Sequence, residues 1–280
     1  MKSYRVEHTT TYTYSREVFF EPFTLRLKPK CNSFQKLHEY GLSIIPEPQG
    51  INETLDLEDN NIITAWFEGT HKKLVIISNC IVEPLNINPF SFLITDDSFY
   101  TLPVNNSDKI YSPFLTRYTH SKEISDLIEP IINNSNNQTV EFLFNLNNYI
   151  YQDFEKIIRV TGNPWKPVKT LKENKGSCRD LAVLFIECCR SVGLPSRFTS
   201  GYNEIDIDTE TRQLHAWAEV FIPGAGWKGY DPTLGLAVGD KNISLSSSSL
   251  PQNTYPISGN FRGTGASSEL QYKIEIYPIS

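Results

Sequence analysis

The placement of three reactive side chains between residues 174 and 231 constrains the fold more than any other feature of the chain. Cys178 stands at the start of a predicted helix, His215 lies within a predicted strand, and Asp231 ends the next strand. A thiol, an imidazole and a carboxylate can serve as nucleophile, base and orienting group in covalent catalysis. The sequence therefore predicts a fold that brings the three side chains within hydrogen-bonding distance of one another.

The residues around Cys178 predict a capped helix. Ser177 precedes an apolar run of helical period, and Asp180 follows three residues later, as in a capping box with Ser177 as the N-cap. We expect the helix to end at Gly193, because glycine commonly follows a helix and Pro195 cannot continue it. Cys178 is then the first helical residue. The predicted buried stripe comprises Leu181, Ala182, Phe185, Cys188, Cys189 and Val192.

An imidazolium, rather than the helix end, is expected to supply most of the stabilisation of a thiolate here. An ordinary thiol titrates near pH ~8.5, and lowering that value by about four units corresponds to roughly 5–6 kcal/mol. A helix N-terminus contributes about 1 kcal/mol. Asp180 opposes the shift, because a carboxylate in the same turn disfavours a second negative charge, and we interpret it as a capping residue.

His215 and Asp231 are predicted on adjacent strands joined by a tight turn. Residues 214–221 alternate in the manner of a strand, and the Pro-Gly-Ala-Gly segment 223–226 is typical of a turn. A pairing of His215 directly with Asp231 requires a loop with an odd number of residues and places both side chains on one face. With an even loop, a β-bulge would be needed. A carboxylate that holds one imidazole nitrogen leaves the other to take the thiol proton.

Each of these residues also has a purely structural interpretation. A single cysteine in a helix is most often a buried thiol, a single histidine on a strand is most often a surface or core residue, and Asp-Pro commonly opens a turn. The capped position of Cys178 and the two partners that follow it favour the catalytic interpretation. A zinc site built on His215 and the adjacent pair Cys188 and Cys189 fails on geometry, because neighbouring helical side chains point about 100° apart. The other four cysteines are predicted in the core or on helix flanks: Cys31, Cys80, Cys188 and Cys189.

The first 110 residues are rich in strand patterns. Alternate residues from Tyr4 to Tyr14 predict one face of a long strand, and residues 74–82 form a β-branched run. His8 lies on the alternating face, and we interpret it as a hydrogen-bonded sheet residue without chemistry. These patterns predict an antiparallel β domain.

The composition shifts towards helix after residue 111. Helices are predicted over residues 123–129, 140–150 and 167–172, and a strand that packs back on the structure over residues 270–277. The expected fold class is α+β. Residues 1–115 form a β-rich N-terminal domain, and residues 116–280 form a second domain that includes the C-terminal strand.

Charge and hydropathy limit the partners of the chain. Its 280 residues carry a net charge of -6 without a basic cluster, which excludes a nucleic-acid partner. The first residues lack the apolar run of a signal peptide, and a stretch of about eighteen apolar residues is absent from the sequence. We therefore expect no membrane partner and a cytoplasmic location, where reducing conditions suit a working thiol. The sequence does not define the oligomeric state.

Four core segments together resemble the bacterial transglutaminase-like superfamily, and the N-terminal region of that family is similar to further segments. The core segments are residues 176–182, 190–202, 215–220 and 226–233, and the N-terminal ones are residues 8–14, 25–29 and 59–61. The resemblance implies a papain-like core, with a helix packed on an antiparallel sheet, in which Cys178, His215 and Asp231 occupy the catalytic positions. It implies neither a metal nor an organic cofactor. Members of the group are often described as cysteine proteases rather than as cross-linking enzymes.

Two departures from the family pattern concern the choice of substrate. The position after the nucleophile is often Gln but is Arg179 here, and a polar run begins with the serines of residues 246–249. Neither departure touches the three reactive residues.

Two classes of function fit these features. In the first, Cys178 attacks a peptide or glutamine carboxamide carbonyl, His215 moves the protons, and a thioester forms that water or an amine resolves. The backbone N–H of Cys178 is the expected first oxyanion donor, and the indole of Trp165 is a candidate second donor with a packing role as its alternative. In the second class, the chain is a catalytically silent scaffold that binds a peptide or a partner protein. The abundant aromatic residues permit a hydrophobic acyl pocket but do not locate one.

Overall fold

The computed structural model describes residues 2–85, 88–105, 108–204 and 213–279. Its strands are β1 (Ser3–Phe20), β2 (Phe23–Leu25), β3 (Gln35–Ile45), β4 (Gly50–Leu55), β5 (Asn61–Trp66), β6 (His71–Pro84), β7 (Glu155–Lys156), β8 (Lys175–Gly176), β9 (Ser196–Asn203), β10 (His215–Ile222), β11 (Gly226–Asp231), β12 (Leu236–Ala237), β13 (Asn242–Ser248), β14 (Ile257–Ser258), β15 (Phe261–Arg262) and β16 (Ser268–Ile279). Its α-helices are α1 (Ser112–Leu115), α2 (Lys122–Asn134), α3 (Thr139–Asp153), α4 (Pro167–Glu173) and α5 (Cys178–Ser191). Short 3₁₀ helices span Asp97–Phe99, Lys109–Tyr111 and Pro251–Thr254.

Two antiparallel sheets form the N-terminal region, as the strand patterns predict. In the first sheet β1 pairs with β6 on one side and with β16 on the other, and β6 also pairs with β3. The second sheet has the order β14-β2-β5-β4. Alternate residues of both sheets fill the space between them, including Tyr14, Phe20, Leu25, Ile63 and Leu74. The antiparallel β domain is confirmed.

The C-terminal strand completes the first sheet. The predicted strand over residues 270–277 is confirmed as part of β16, which pairs antiparallel with β1 from Ser3↔Ile279 to Tyr14↔Ser268. The predicted division at residue 115 assigns this strand to the second domain, whereas its hydrogen bonds connect it to the N-terminal sheet. The boundary itself stays a prediction.

Helix α5 and one antiparallel sheet form the centre of the second region. The sheet has the order β12-β11-β10-β9-β13, and the inner face of β10 presents Ala216, Ala218 and Val220 to the helix. Small alanines let the helix approach the sheet closely. On its other side α5 packs against apolar residues of α2 and α3. The expected α+β fold, with a helix packed on an antiparallel sheet, is confirmed.

More residues of α5 are buried than the predicted apolar stripe contains. Every residue from 180 to 190 is buried, including the charged Glu187 and Arg190. Glu187 accepts hydrogen bonds from the Arg117 side chain and from two backbone N–H groups, while Arg190 donates to the carbonyls of residues 116, 196 and 249. Buried charges are tolerated when they are paired in this way. The helix is therefore enclosed on all sides, because helices cover the surface that the sheet leaves open.

The remaining predicted helices are confirmed with longer bounds. They correspond to α2, α3 and α4, and α4 has Pro167 at its start, as predicted. Across the described residues, none of the helices has the length and apolar character needed to cross a membrane.

A shared core joins the two regions. Tyr202, Ile243 and Leu245 of the second region pack against residues of β1, β6 and β16. The side chain of Asn60 adds hydrogen bonds to the backbone of Ser247. The first sheet is thereby held beside β9 and β13 of the sheet that packs on α5.

Candidate active site

The predicted cap at the start of α5 is confirmed. Ser177 is the N-cap, and the Oδ2 atom of Asp180 accepts hydrogen bonds from its backbone N–H at 2.9 Å and from its hydroxyl at 2.6 Å. The helix ends at Ser191, and Gly193 follows with φ +82°, a left-handed conformation that favours glycine. Cys178 is the first helical residue. Its backbone N–H is among those at the helix start that have no intrahelical partner.

Asp180 also forms a buried ion pair that the sequence does not reveal. Nη1 of Arg159 donates to both carboxylate oxygens, at 2.5 and 2.7 Å, and the carboxylate is fully buried. Burial raises the pKa of Asp180, but the hydrogen bonds from Arg159, Ser177 and the Trp165 backbone outweigh it and hold the pKa below 3.8. The Arg159 charge offsets the negative charge that Asp180 places near Cys178.

Arg179 anchors the loop that precedes this helix. Its Nη2 atom donates to the backbone carbonyls of Arg159 and of Thr161, the latter at 3.2 Å. Together with the ion pair of Arg159, these bonds hold the 157–164 segment beside Cys178. The departure from Gln at this position therefore bears on a loop that borders the site.

The turn between β10 and β11 has the odd number of residues that a shared face requires, but the direct pairing of His215 with Asp231 is wrong by two residues. Residues 223–225 form the loop, Ile222 pairs with Gly226, and Ala218 pairs with Tyr230. Extending this register places Asp231 opposite Trp217 rather than opposite His215. Because the shift is even, Asp231 and His215 still lie on one face, as diagonal neighbours within reach of each other.

The imidazole and the carboxylate form a direct hydrogen bond. The Nε2 atom of His215 lies 2.5 Å from Oδ2 of Asp231. The Asp231 side chain is almost fully buried, and its Oδ1 atom accepts from the backbone N–H groups of Thr233 and Leu234 at 3.0 and 3.3 Å. Asp231 thus both opens the turn, as its alternative interpretation proposes, and orients the ring. Nδ1 of His215 remains available to the thiol.

The Cys178 thiol lines the same cavity as His215 and interacts with its ring. Burial lowers the pKa of His215, but the charge of Asp231, its hydrogen bond and the contact with Cys178 outweigh burial and raise the pKa well above 6.5. The protonated imidazolium is therefore favoured at neutral pH. The structure brings together the three residues that the sequence singles out.

Trp217 covers one side of this pair. Its ring centroid lies 6.3 Å from that of His215, on the same face of β10 as the sequence pattern predicts, and its side chain is buried. Gly201 makes room for it, since a Cβ atom there would lie 2.8 Å from the indole ring. A buried ring beside the imidazole keeps water from that side of the His215–Asp231 hydrogen bond.

The other cysteines occupy different surroundings. Cys178 is half-buried, whereas Cys80, Cys188 and Cys189 are buried and Cys31 is exposed. Burial raises the thiol pKa of Cys188 and of Cys189. Both pack in the apolar core around α5, as predicted.

Trp165 packs between two cationic side chains. Its ring lies 4.5 Å from the Arg159 guanidinium and 4.3 Å from the Lys169 ammonium, and its backbone N–H donates to Asp180. The cavity-lining residues of this loop end at Pro164. These contacts agree with the alternative packing role, and the oxyanion role stays a prediction.

A cavity of about 570 Å³ opens beside Cys178 and His215. Both regions of the chain line it. The 157–164 segment, the start of α5 and the ends of β9 and β10 form one part, and residues of β1 and β16 form another. The sequence patterns predict the strands, but they contain no signal that the N-terminal sheet would reach the reactive residues.

Comparisons with known proteins agree with this arrangement. The model described as the bacterial transglutaminase-like N-terminal region matches residues 4–83, and that of the transglutaminase-like superfamily matches residues 125–232. The second match contains Cys178, His215 and Asp231. Together the two matches cover two thirds of the chain.

Two individual proteins are similar over nearly the whole length. Uncharacterized protein ML0607 of Mycobacterium leprae (strain TN) is 25% identical over 280 residues, which cover 97% of each chain. The crystal structure of a putative cysteine protease from Cytophaga hutchinsonii superposes with a TM-score of 0.75 at 19% identity, covering 100% of this chain and 91% of that chain. At this identity the structural likeness concerns the fold alone.

Proposed function

Because this chain belongs to the bacterial transglutaminase-like superfamily, we propose that it is a cysteine-dependent acyl-transfer enzyme whose nucleophile is Cys178. One observation carries the proposal. A half-buried thiol at a helix start lines the same cavity as an imidazole with which it interacts, and the Nε2 atom of that imidazole is held by a buried carboxylate. A thiolate and an imidazolium formed in this pair stabilise each other, and the helix start adds to the stabilisation of the thiolate.

The proposed first step forms a thioester. The thiolate of Cys178 attacks the carbonyl carbon of a peptide or carboxamide, and the carbonyl electron pair moves onto oxygen. The backbone N–H of Cys178 stabilises the resulting oxyanion. When the tetrahedral intermediate collapses, the C–N bond breaks and the imidazolium of His215 donates its proton to the leaving amine.

The second step reverses the roles. The neutral imidazole takes a proton from water or from an amine, which attacks the thioester carbonyl, and the C–S bond breaks to return the thiolate. Asp231 keeps the ring oriented and stabilises the imidazolium throughout. Because Cys178 is half-exposed, water or an amine can reach the thioester, and which of them reacts decides between hydrolysis and transamidation.

The outcome can be measured with a glutamine-containing casein and a fluorescent primary amine. New amino termini or ammonia without incorporation of the label would support a protease or amidohydrolase, whereas incorporation would support transamidation. The Cys178→Ala variant is the control and should abolish either activity. Absence of both activities, together with ordinary reactivity of Cys178, would favour the catalytically silent scaffold.

The proposed location is the cytoplasm, where reducing conditions suit a working thiol. All five cysteines are free, and the mechanism needs Cys178 as a free thiol. Cys178 also interacts with the imidazole of His215. The buried thiols of Cys188 and Cys189 pack in the apolar core instead, so the catalytic role is proposed for Cys178.

A further inference from the structure

One wall of the cavity beside Cys178 is built from two directly paired strands. Thr10 and Tyr12 of β1 line the cavity, and so do their cross-strand partners Tyr272 and Leu270 of β16. Cross-strand partners point to the same side of a sheet, so the four side chains form one continuous patch. The first and last strands of the chain thus meet at the candidate active site.

Large apolar side chains stand exposed around this cavity. Leu270 on the strand wall is 41% exposed, and Ile158 and Val160 on the facing loop are 62% and 53% exposed. Exposed apolar residues that gather around a concave site indicate a surface that a ligand covers. An apolar side chain that enters the cavity would be removed from water together with them.

The wall carries no charge at neutral pH. His8 lies in it, with Nδ1 at 2.9 Å from the Tyr202 hydroxyl and Nε2 at 3.1 Å from the Thr10 hydroxyl. Burial lowers the pKa of His8 to about 4, so the ring is neutral. The interpretation of His8 as a hydrogen-bonded sheet residue agrees with these contacts.

Among the described residues, the charged side chains that line the cavity are basic and do not pair with a cationic ligand. Apart from the histidines, the charged lining residues are basic: Lys156, Arg159 and Arg179. Arg159 and Arg179 are engaged in holding the loop. No Asp or Glu side chain lines the cavity within the described part of the chain. A lysine or arginine side chain placed there would lose hydration without gaining a carboxylate from these described lining residues.

We propose that the N-terminal β domain forms part of the substrate site, and that the cavity binds peptides with an uncharged apolar side chain against the β1–β16 wall. The link to catalysis rests on the proposed function, but peptide binding does not require an active thiol. Binding and reactivity can therefore be tested separately.

The binding test uses the Cys178→Ala protein and fluorescently labelled alanine-based hexapeptides whose central residue is Phe, Leu or Lys. We expect fluorescence polarisation to show the Phe and Leu peptides binding at least tenfold more tightly than the Lys peptide. Leu270→Arg should weaken the binding of the apolar peptides by about tenfold. Gln271→Arg is the matched control, because this exposed neighbour on β16 points to the opposite side of the sheet and should leave binding unchanged.

Three results would overturn the inference: equal binding of the Lys peptide, an equal effect of the two arginine substitutions, or no binding of any peptide. Unfolding temperatures equal to that of the parent protein establish that both variants are folded. Iodoacetamide reactivity of the wild-type thiol tests the proposed function independently. Selective binding with an ordinary thiol would retain this inference and reject the enzyme, whereas a reactive thiol with unselective binding would do the reverse.

Discussion

At the scale of single residues, the chemistry depends on how two opposing effects on His215 balance. Burial alone lowers the pKa of the imidazole, as it does for His8, which lies in the same cavity. His215 differs because a buried carboxylate lies 2.5 Å from Nε2 and a thiol lies near the ring. Histidine therefore has two different charge states on neighbouring sheets: neutral at His8 and protonated at His215. The carboxylate and the thiol beside His215 cause the difference.

Asp231→Asn isolates the contribution of the carboxylate. Folding raises the pKa of His215 above its value of about 6.5 in the unfolded chain. Such a group contributes its full stabilisation of the native state at pH values below the unfolded pKa. The contribution is lost as the pH rises through the pKa of the folded state. We therefore expect the variant to be less stable than the wild type by about 1.5–3 kcal/mol at or below pH 6.5, with the difference shrinking at higher pH. Urea unfolding across this range measures it. Asp126→Asn, an exposed carboxylate on α2, is the control, and a difference that grows with pH would contradict the assignment.

At the scale of elements, local signals specify more of the site than distant ones. The N-cap Ser177 and the helix stop at Gly193 follow from short-range rules, and both are confirmed. The loop of residues 223–225 has the odd length that a shared face of His215 and Asp231 requires. The exact register of β10 and β11 does not follow, because the parity of the loop fixes the face but not the pairing. Arg159 could not be predicted, since its partner lies 21 residues away with no periodic relation.

Arg159→Met tests whether the ion pair holds the start of α5. The substitution leaves the buried carboxylate of Asp180 without its cation, and breaking a buried pair in this way costs about 3–5 kcal/mol. Arg179→Met is the comparison, because Arg179 donates to backbone carbonyls only and its loss should cost about 1 kcal/mol. Chemical denaturation measures both values. Equal losses in the two variants would argue against the ion pair as the main support of the helix start.

At the scale of the whole molecule, the first and last strands of the structure lie side by side in one sheet. β16 pairs with β1 along its full length, and both strands contribute to the wall of the cavity. The sequence predicts a C-terminal strand that packs back on the structure, but strand patterns do not name a partner so distant in the chain. The partner follows only from the complete sheet, which needs β16 to cover the open edge of β1.

Truncation after Ser267 tests this closure. It removes β16 and with it Ile274 and Ile276, which are buried in the core shared by the two regions. Loss of one such buried side chain costs about 2–5 kcal/mol. Removing the strand together with both isoleucines therefore costs a free energy comparable to the total free energy of unfolding of a typical domain. We expect thermal unfolding, followed by circular dichroism, to begin far below the wild-type transition. An unchanged transition temperature would contradict the structural role of β16.

The rate at which iodoacetamide alkylates Cys178, measured as a function of pH, shows whether His215 stabilises the thiolate. Peptide mapping by mass spectrometry separates Cys178 from the exposed Cys31. We expect alkylation of Cys178 near pH ~6.5 to be at least tenfold faster in the wild type than in His215→Ala, because an ordinary thiol is almost entirely protonated at that pH. Equal alkylation rates in the two proteins at every pH would contradict a thiolate paired with His215.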